Sequence, residues 1–221
     1  MSNIIFAIAI LFAILEWIAV TKQWQQIEYF AKPAVILALL VWLWISTGLQ
    51  SQSAWFAAGL ILSLVGDVLL LWPKWFLPGL VAFLLVHLCY LIGFNPTLPP
   101  LHPASLVLAV MVGLVGARIQ PRLAAGLKQS GKPDMRIPVL VYSSVLSLML
   151  LAGLLTLIRP EWPALSALLM SAGAAFFYFS DTLLAWNNFV SPMRRGRLAV
   201  MVTYHIGQML ITLGAALYVT M

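Results

Sequence analysis

This sequence predicts an all-α integral membrane protein, a single domain over residues 1–221 built as a bundle of eight transmembrane helices with both termini on the non-cytoplasmic side. Three observations predict it. Of the 221 residues, 63% are hydrophobic and 8% charged, and the mean hydropathy is +1.02, which leaves too little polar surface to coat a water-soluble globule. The apolar residues fall in unbroken runs long enough to cross a hydrocarbon core of about 30 Å. The basic residues gather in alternate connections between those runs.

The runs cover 4–20, 33–49, 54–72, 75–95, 104–118, 136–158, 164–190 and 198–219. The first, second and fifth are on the short side. Pro78 and Pro138 start or bend the fourth and sixth instead of marking loops. A barrel is excluded, because no segment alternates polar and apolar residues at every second position.

Lys22 and Lys32 follow the first run and Lys74 the third. Arg118, Arg122, Lys128, Lys132 and Arg136 bracket the connection after the fifth, and Arg194, Arg195 and Arg197 follow the seventh. Eleven of the twelve Lys and Arg thus lie on one face, with Arg159 alone opposite, as expected for an even number of crossings and a cytoplasmic basic face. The net charge of +6 is therefore an orientation signal and a contact for anionic headgroups, and no nucleic-acid partner is expected. A single cysteine, Cys89, excludes a disulfide framework and a thiolate metal site. The amino end lacks the basic region and cleavage site of a secretory signal, so the first helix is expected to be retained.

Polar residues inside the runs identify the candidate site. An ionised carboxylate at membrane depth costs at least about 2.5 kcal/mol and persists where a protein interior or a reaction requires it. Asp67 and Asp181 lie in the third and seventh runs, which cross in the same direction, and both fall in the cytoplasmic half. His87 and Tyr90 share one helical face in the fourth run, and Tyr204 and Gln208 do so in the eighth. Lys32, at the start of the second run, completes a cluster that opens inward. Glu16 and His205 read more readily as packing residues.

Lys32-Pro33, Gly66-Asp67, His87-X-X-Tyr90, Ser180-Asp181-X-X-Leu184-Ala185 and Tyr204-X-X-X-Gln208, in this order, resemble the YhhN/TMEM86 family, which contains the lysoplasmalogenases. The likeness covers nearly the whole chain; His205 lies outside the family pattern. It implies hydrolysis of the vinyl ether of a lysoplasmalogen to a fatty aldehyde and a glycerophosphoethanolamine or glycerophosphocholine. The residues suit that chemistry, because protonation at carbon gives an oxocarbenium ion that captures water, and two carboxyl groups in unlike surroundings divide the acid and base tasks. Phe176, Phe177, Tyr178 and Phe179 make the surroundings of Asp181 the more apolar, which assigns it the acid role and Asp67 the base role. His87 is expected to orient a carboxyl group or water. Lys32, Tyr90, Tyr204 and Gln208 are expected to contact the lysophospholipid.

No metal or other cofactor is expected; the partners are the lipid substrate and the surrounding membrane lipids, in a bacterium those of the inner membrane. Two alternatives use some of the same residues. A proton-coupled transporter would show paired broken helices or repeated halves, and neither is visible. A zinc-dependent hydrolase would ligate His87, His205, Asp67 and Asp181, without a close-spaced ligand motif.

The basic asymmetry predicts that, in a bacterial host, a carboxy-terminal alkaline phosphatase fusion is active and a green fluorescent protein fusion dark. The reverse pattern inverts the orientation.

Overall fold

Apolar runs of this length have one economical solution in lipid, a helix that satisfies its own backbone groups. The computed structural model describes residues 2–99 and 102–220, and these form eight α-helices with no strand among the described residues. They are α1 (Ser2–Lys22), α2 (Gln25–Thr47), α3 (Ser53–Leu69), α4 (Phe76–Gly93), α5 (Pro103–Gln129), α6 (Arg136–Leu155), α7 (Ala164–Phe189) and α8 (Gly196–Thr220). Seven are long and apolar enough to cross a membrane, and α3, with 17 residues, stands at the lower limit for a crossing.

Two boundaries differ from the sequence expectation, and proline is the reason for both. The second run was expected to begin at Pro33, yet α2 starts two turns earlier at Gln25 and carries Pro33 inside it. The fifth was expected to end near residue 118, yet α5 continues through Pro121 to Gln129, so Arg118, Arg122 and Lys128 belong to a helix and not to a loop. Membrane helices tolerate interior proline because neighbouring groups take up the freed carbonyl. Lys32 is consequently an interior residue of α2 and not its first.

The helices α1 to α4 pack in succession, α4 meets α6, and α6, α7 and α8 follow; α8 also reaches α1, α2 and α3 and so closes the bundle. Helix α5 lies outside, against α6 and α7. Ile4, Leu11, Leu114 and Phe179 are among many large apolar side chains on the outer surface, where lipid and not water suits them. Inside, Phe56, Leu60, Val86, Tyr90, Met149, Met170, Phe177 and Ile211 belong to one continuous core.

The most extensive helix pair, α7 with α8, depends on glycine. A methyl group at Gly173 would stand 2.8 Å from the backbone nitrogen of Ile211 and 3.0 Å from the carbonyl oxygen of Gly207. Close backbone approach is a usual basis of helix association where lipid offers no hydrophobic contrast. Ser166 and Ser180 reinforce the pair by donating to the carbonyls of Gly214 and Val200.

At one end of the bundle Arg159, only 3% exposed, is consumed internally. It donates to the side chains of Asn95 and Glu161 and to the carbonyl of Thr97. Partial burial works to raise the pKa of Glu161, but its own backbone amide, the Thr97 hydroxyl and Arg159 outweigh that and hold it below the usual carboxylate value.

Because backbone atoms would meet any side chain at position 173, Gly173→Ala is expected to cost about 1–3 kcal/mol, read as a lower unfolding temperature in detergent. An unchanged temperature would show that α7 and α8 part without loss.

Candidate active site

Both intramembrane aspartates border one cavity of about 520 Å³. Its walls come from the first turns of α2, the ends of α3 and α7, the start of α8 and the α5–α6 connection. It therefore opens at the bundle end that carries the four basic connections, opposite Arg159.

Asp67 projects from the last turn of α3 and is 1% exposed. Lys32 Nζ lies 3.3 Å from its Oδ1, and the Tyr204 hydroxyl donates to its Oδ2 at 2.8 Å. A cation and a hydroxyl from two other helices thus occupy both oxygens, as a carboxylate away from water requires. Tyr204 is held in turn by a chain of neutral groups. Gln208 Nε2 donates to Ser63 Oγ at 2.8 Å and, at 3.4 Å, to the Tyr204 oxygen, while Tyr90 donates to Gln208 Oε1 at 2.6 Å. Tyr90 reaches this position because residue 59 of the facing α3 is glycine; a methyl group there would lie 2.0 Å from the tyrosine ring.

Asp181 lies two turns from the end of α7 and has a different shell. Its Oδ2 receives the Tyr142 hydroxyl from α6 and His87 Nε2 from α4, the latter at 2.9 Å. His87 Nε2 and the Tyr142 oxygen are themselves 3.0 Å apart, closing a triangle. His87 Nδ1 has no hydrogen-bond partner, and the tautomer protonated on Nε2 is the one that donates to Oδ2. Neither donor contacts Oδ1, so Asp181 offers the cavity one uncommitted oxygen.

Phe177, fully buried one turn before Asp181, packs against members of both shells. Its ring packs edge-on against His87, Tyr90, Tyr204 and Phe83. The apolar surroundings of Asp181 therefore come from Phe177 and, along the cavity, Phe76, Leu184 and Phe189. Phe176 and Phe179, which the sequence suggested for this purpose, face outward at 38% and 53% exposure.

The predicted site residues thus come together in two connected shells. Lys32, Asp67, Asp181 and Tyr204 line the cavity, whereas His87, Tyr90 and Gln208 stand behind them as supports. Glu16 and His205 form a separate buried group: His205 Nε2 is 3.0 Å from Glu16 Oε2, without hydrogen-bond alignment, and Trp17 Nε1 donates to His205 Nδ1. His87 and His205 belong to different clusters, and no three His, Cys, Asp or Glu among the described residues gather in a metal-holding arrangement. Sequence reasoning missed Tyr142, Ser63, Glu28 and Lys132. A usable signal existed only for Glu28, which shares a face of α2 with Lys32 at i and i+4.

The YhhN family pattern matches residues 27–215, a stretch that contains every group of the cavity except Gln25. The chain belongs to the YhhN family. The human lysoplasmalogenase TMEM86B is 34% identical over 194 residues, covering 86% of this chain and 77% of the relative. The lysoplasmalogenase of Mycobacterium tuberculosis is 30% identical over 197 residues, 86% of this chain and 69% of the relative. An uncharacterized membrane protein YhhN of Escherichia coli is 32% identical over 192 residues, covering 85% and 86%. No solved structure matches significantly.

The shell around Asp181 predicts that Tyr142→Phe removes a donor to a buried carboxyl group and destabilises the protein by about 0.5–1.5 kcal/mol, measured by thermal unfolding in detergent. Wild-type stability in that variant would return Tyr142 to ordinary packing.

Proposed function

We propose that this integral membrane protein is a lysoplasmalogenase, hydrolysing the vinyl ether of a lysoplasmalogen to a fatty aldehyde and a glycerophosphoethanolamine or glycerophosphocholine. The observation that carries the reading is the pair of carboxyl groups on one cavity, one neutralised by a lysine and fully engaged, the other held through a single oxygen. Membership of a family with lysoplasmalogenases at 30–34% identity supports the substrate class.

In this reading Asp181 is the acid. Its Oδ2 is occupied as an acceptor, so its proton resides on Oδ1, toward the cavity. Transfer of that proton to the β-carbon of the vinyl ether leaves the positive charge shared between the adjacent carbon and the ether oxygen. Asp67, paired with Lys32, faces that charge and takes a proton from the water that adds to the cation. The resulting hemiacetal collapses as Asp67 returns the proton to the glycerol oxygen and the hemiacetal hydroxyl gives its own to Asp181. Aldehyde and alcohol leave, and both carboxyl groups regain their starting states. His87 and Tyr142 position Asp181; Tyr204, set by Gln208 and Tyr90, positions Asp67. Lys32 supports the base instead of binding the headgroup. With the basic face in the cytoplasm, in a bacterium the cytoplasmic side of the inner membrane, the substrate enters with its headgroup at the cavity mouth.

Purified protein is expected to release aldehyde from lysoplasmalogen with chelator present. Asp67→Asn and Asp181→Asn should each lose about a hundredfold or more in turnover, the usual worth of an acid or base group, while accumulating normally. Either variant retaining half its activity would remove that residue from the chemistry. Activity lost to chelator and restored by zinc would favour the metal-dependent alternative.

A further inference from the structure

Asp181 borders a second, smaller cleft as well as the cavity described above. The cleft lies beneath α5, between it and α6 and α7, and shares Phe76, Asp181, Leu184 and Phe189 with the larger cavity, so the two spaces meet at the carboxyl group. Their linings differ. Asp181 is the only charged side chain on the cleft among the described residues. The hydroxyls of Ser143, Ser147 and Thr182 turn back onto carbonyls one turn earlier in their own helices, and Gln120 of α5 donates to Ser143. These polar groups are already satisfied within the protein, and what they leave to a ligand is hydrocarbon surface.

The cleft also has a direction. Along α6 it runs from Val139 to Ser147, a span of about 12 Å at the helical rise, and along α5 from Leu123 to Gly116. Both walls lead from the basic end of the bundle toward its middle. A lysolipid with its headgroup at the cavity mouth has its chain pointing the same way. Helix α5 is attached unevenly: Leu123 and Leu127 are buried with Phe189 and Val139, and a methyl group at Gly126 would stand 2.2 Å from the Phe189 carbonyl oxygen. Before Pro121, α5 buries only Val112.

We infer that the cleft beneath α5 holds the hydrocarbon chain of the substrate, and that Gly116 at its inner end limits the chain that is accepted. This inference rests on reading the larger cavity as a lysolipid site. A vinyl ether joins the polar half of the lipid to the chain at one point, and that point must lie at Asp181, where the two spaces meet. From there the chain has to leave a cavity lined by Glu28, Lys32, Lys132 and Arg197, and the cleft is the apolar space that adjoins it. About 40 Å³ is free in the cleft as it stands, so a long chain enters by displacing the loosely packed half of α5 toward the lipid. Gly116 leaves room for this: a methyl group there meets only Ser147 Oγ, at 3.9 Å, and at Gly113, one turn earlier, it meets nothing within 4 Å. A larger side chain at 116 therefore fills the cleft without striking the backbone, whereas at 113 it projects into lipid. Cleavage leaves the aldehyde beside the membrane and the polar alcohol beside water.

The test reads position and binding, so it does not depend on turnover. A lysolipid with an alkyl ether in place of the vinyl ether, carrying a diazirine in mid-chain, is photolysed with the full-length protein in detergent. The label is expected within residues 116–123 of α5 and 139–147 of α6, and unlabelled lysolipid should displace it. Label that stays on outward-facing residues such as Leu106 and Leu114, or that excess lysolipid does not displace, overturns the inference. In a titration of butyl and hexadecyl ethers, Gly116→Trp is expected to weaken the hexadecyl lipid relative to the butyl by about tenfold or more, and Gly113→Trp to leave the ratio at its wild-type value. A wild-type ratio in Gly116→Trp also overturns the inference. Should that variant fail to accumulate, the labelling decides alone. A protein labelled in the cleft that releases no aldehyde from vinyl-ether lipid retains the chain site and loses the hydrolase reading; one that releases aldehyde while the label falls elsewhere does the reverse.

Discussion

A carboxyl group placed at membrane depth must find all its partners within the protein, and the bundle is organised around that requirement. Asp67 on α3 takes a lysine from α2 and a tyrosine from α8. Asp181 on α7 takes a histidine from α4 and a tyrosine from α6. The two acids thus divide six helices between them without sharing one. Of the remaining two, α1 supplies the Glu16 group that meets His205 on α8, and α5 lies outside against α6 and α7. Glycine permits these meetings, at position 59 for the tyrosine that sets the Asp67 shell and at 173 for the α7–α8 contact.

In the proposed mechanism, the unlike shells give two chemically identical side chains different tasks. Asp67 has a partner on each oxygen, one of them a lysine, and in the proposed mechanism it takes a proton from water and returns it to the leaving alcohol. Asp181 has partners on one oxygen only, and in that mechanism it gives up and regains a proton on the other. Phe177 joins the shells by packing against His87 of one and Tyr204 of the other. Both carboxyl groups border the same cavity.

The acids were legible in the sequence because their cost is independent of fold: no arrangement of helices makes Asp67 or Asp181 cheap. Their partners were less legible in proportion to their ordinariness. Tyr142 lies in an apolar run where a tyrosine can equally pack or anchor at an interface, and only three-dimensional proximity reveals it as a donor to Asp181. Lys32 was recognised but misplaced, since a lysine before a proline reads as the end of a crossing; two more turns of α2 make it an interior cation. Lys132 was counted as one charge in a basic loop, and its position over the cavity depends on how α5 and α6 are joined. The aromatic run 176–179 misled for a geometric reason, because four consecutive helical residues point in four directions and only Phe177 among the phenylalanines faces inward.

The distribution of partners along the chain bears on how the protein is made. Helices leave the ribosome in order, and Tyr204 on α8 is synthesised long after Asp67. Until then Asp67 has one partner at hand, Lys32 on the preceding α2, and α2 and α3 pack directly together. The ion pair needs only α2 and α3, so its formation does not require the helices that follow. Asp181 emerges after both of its donors, with α4 and α6 already present. The acid that must wait longest for its complete shell is the one given a permanent counter-charge at birth.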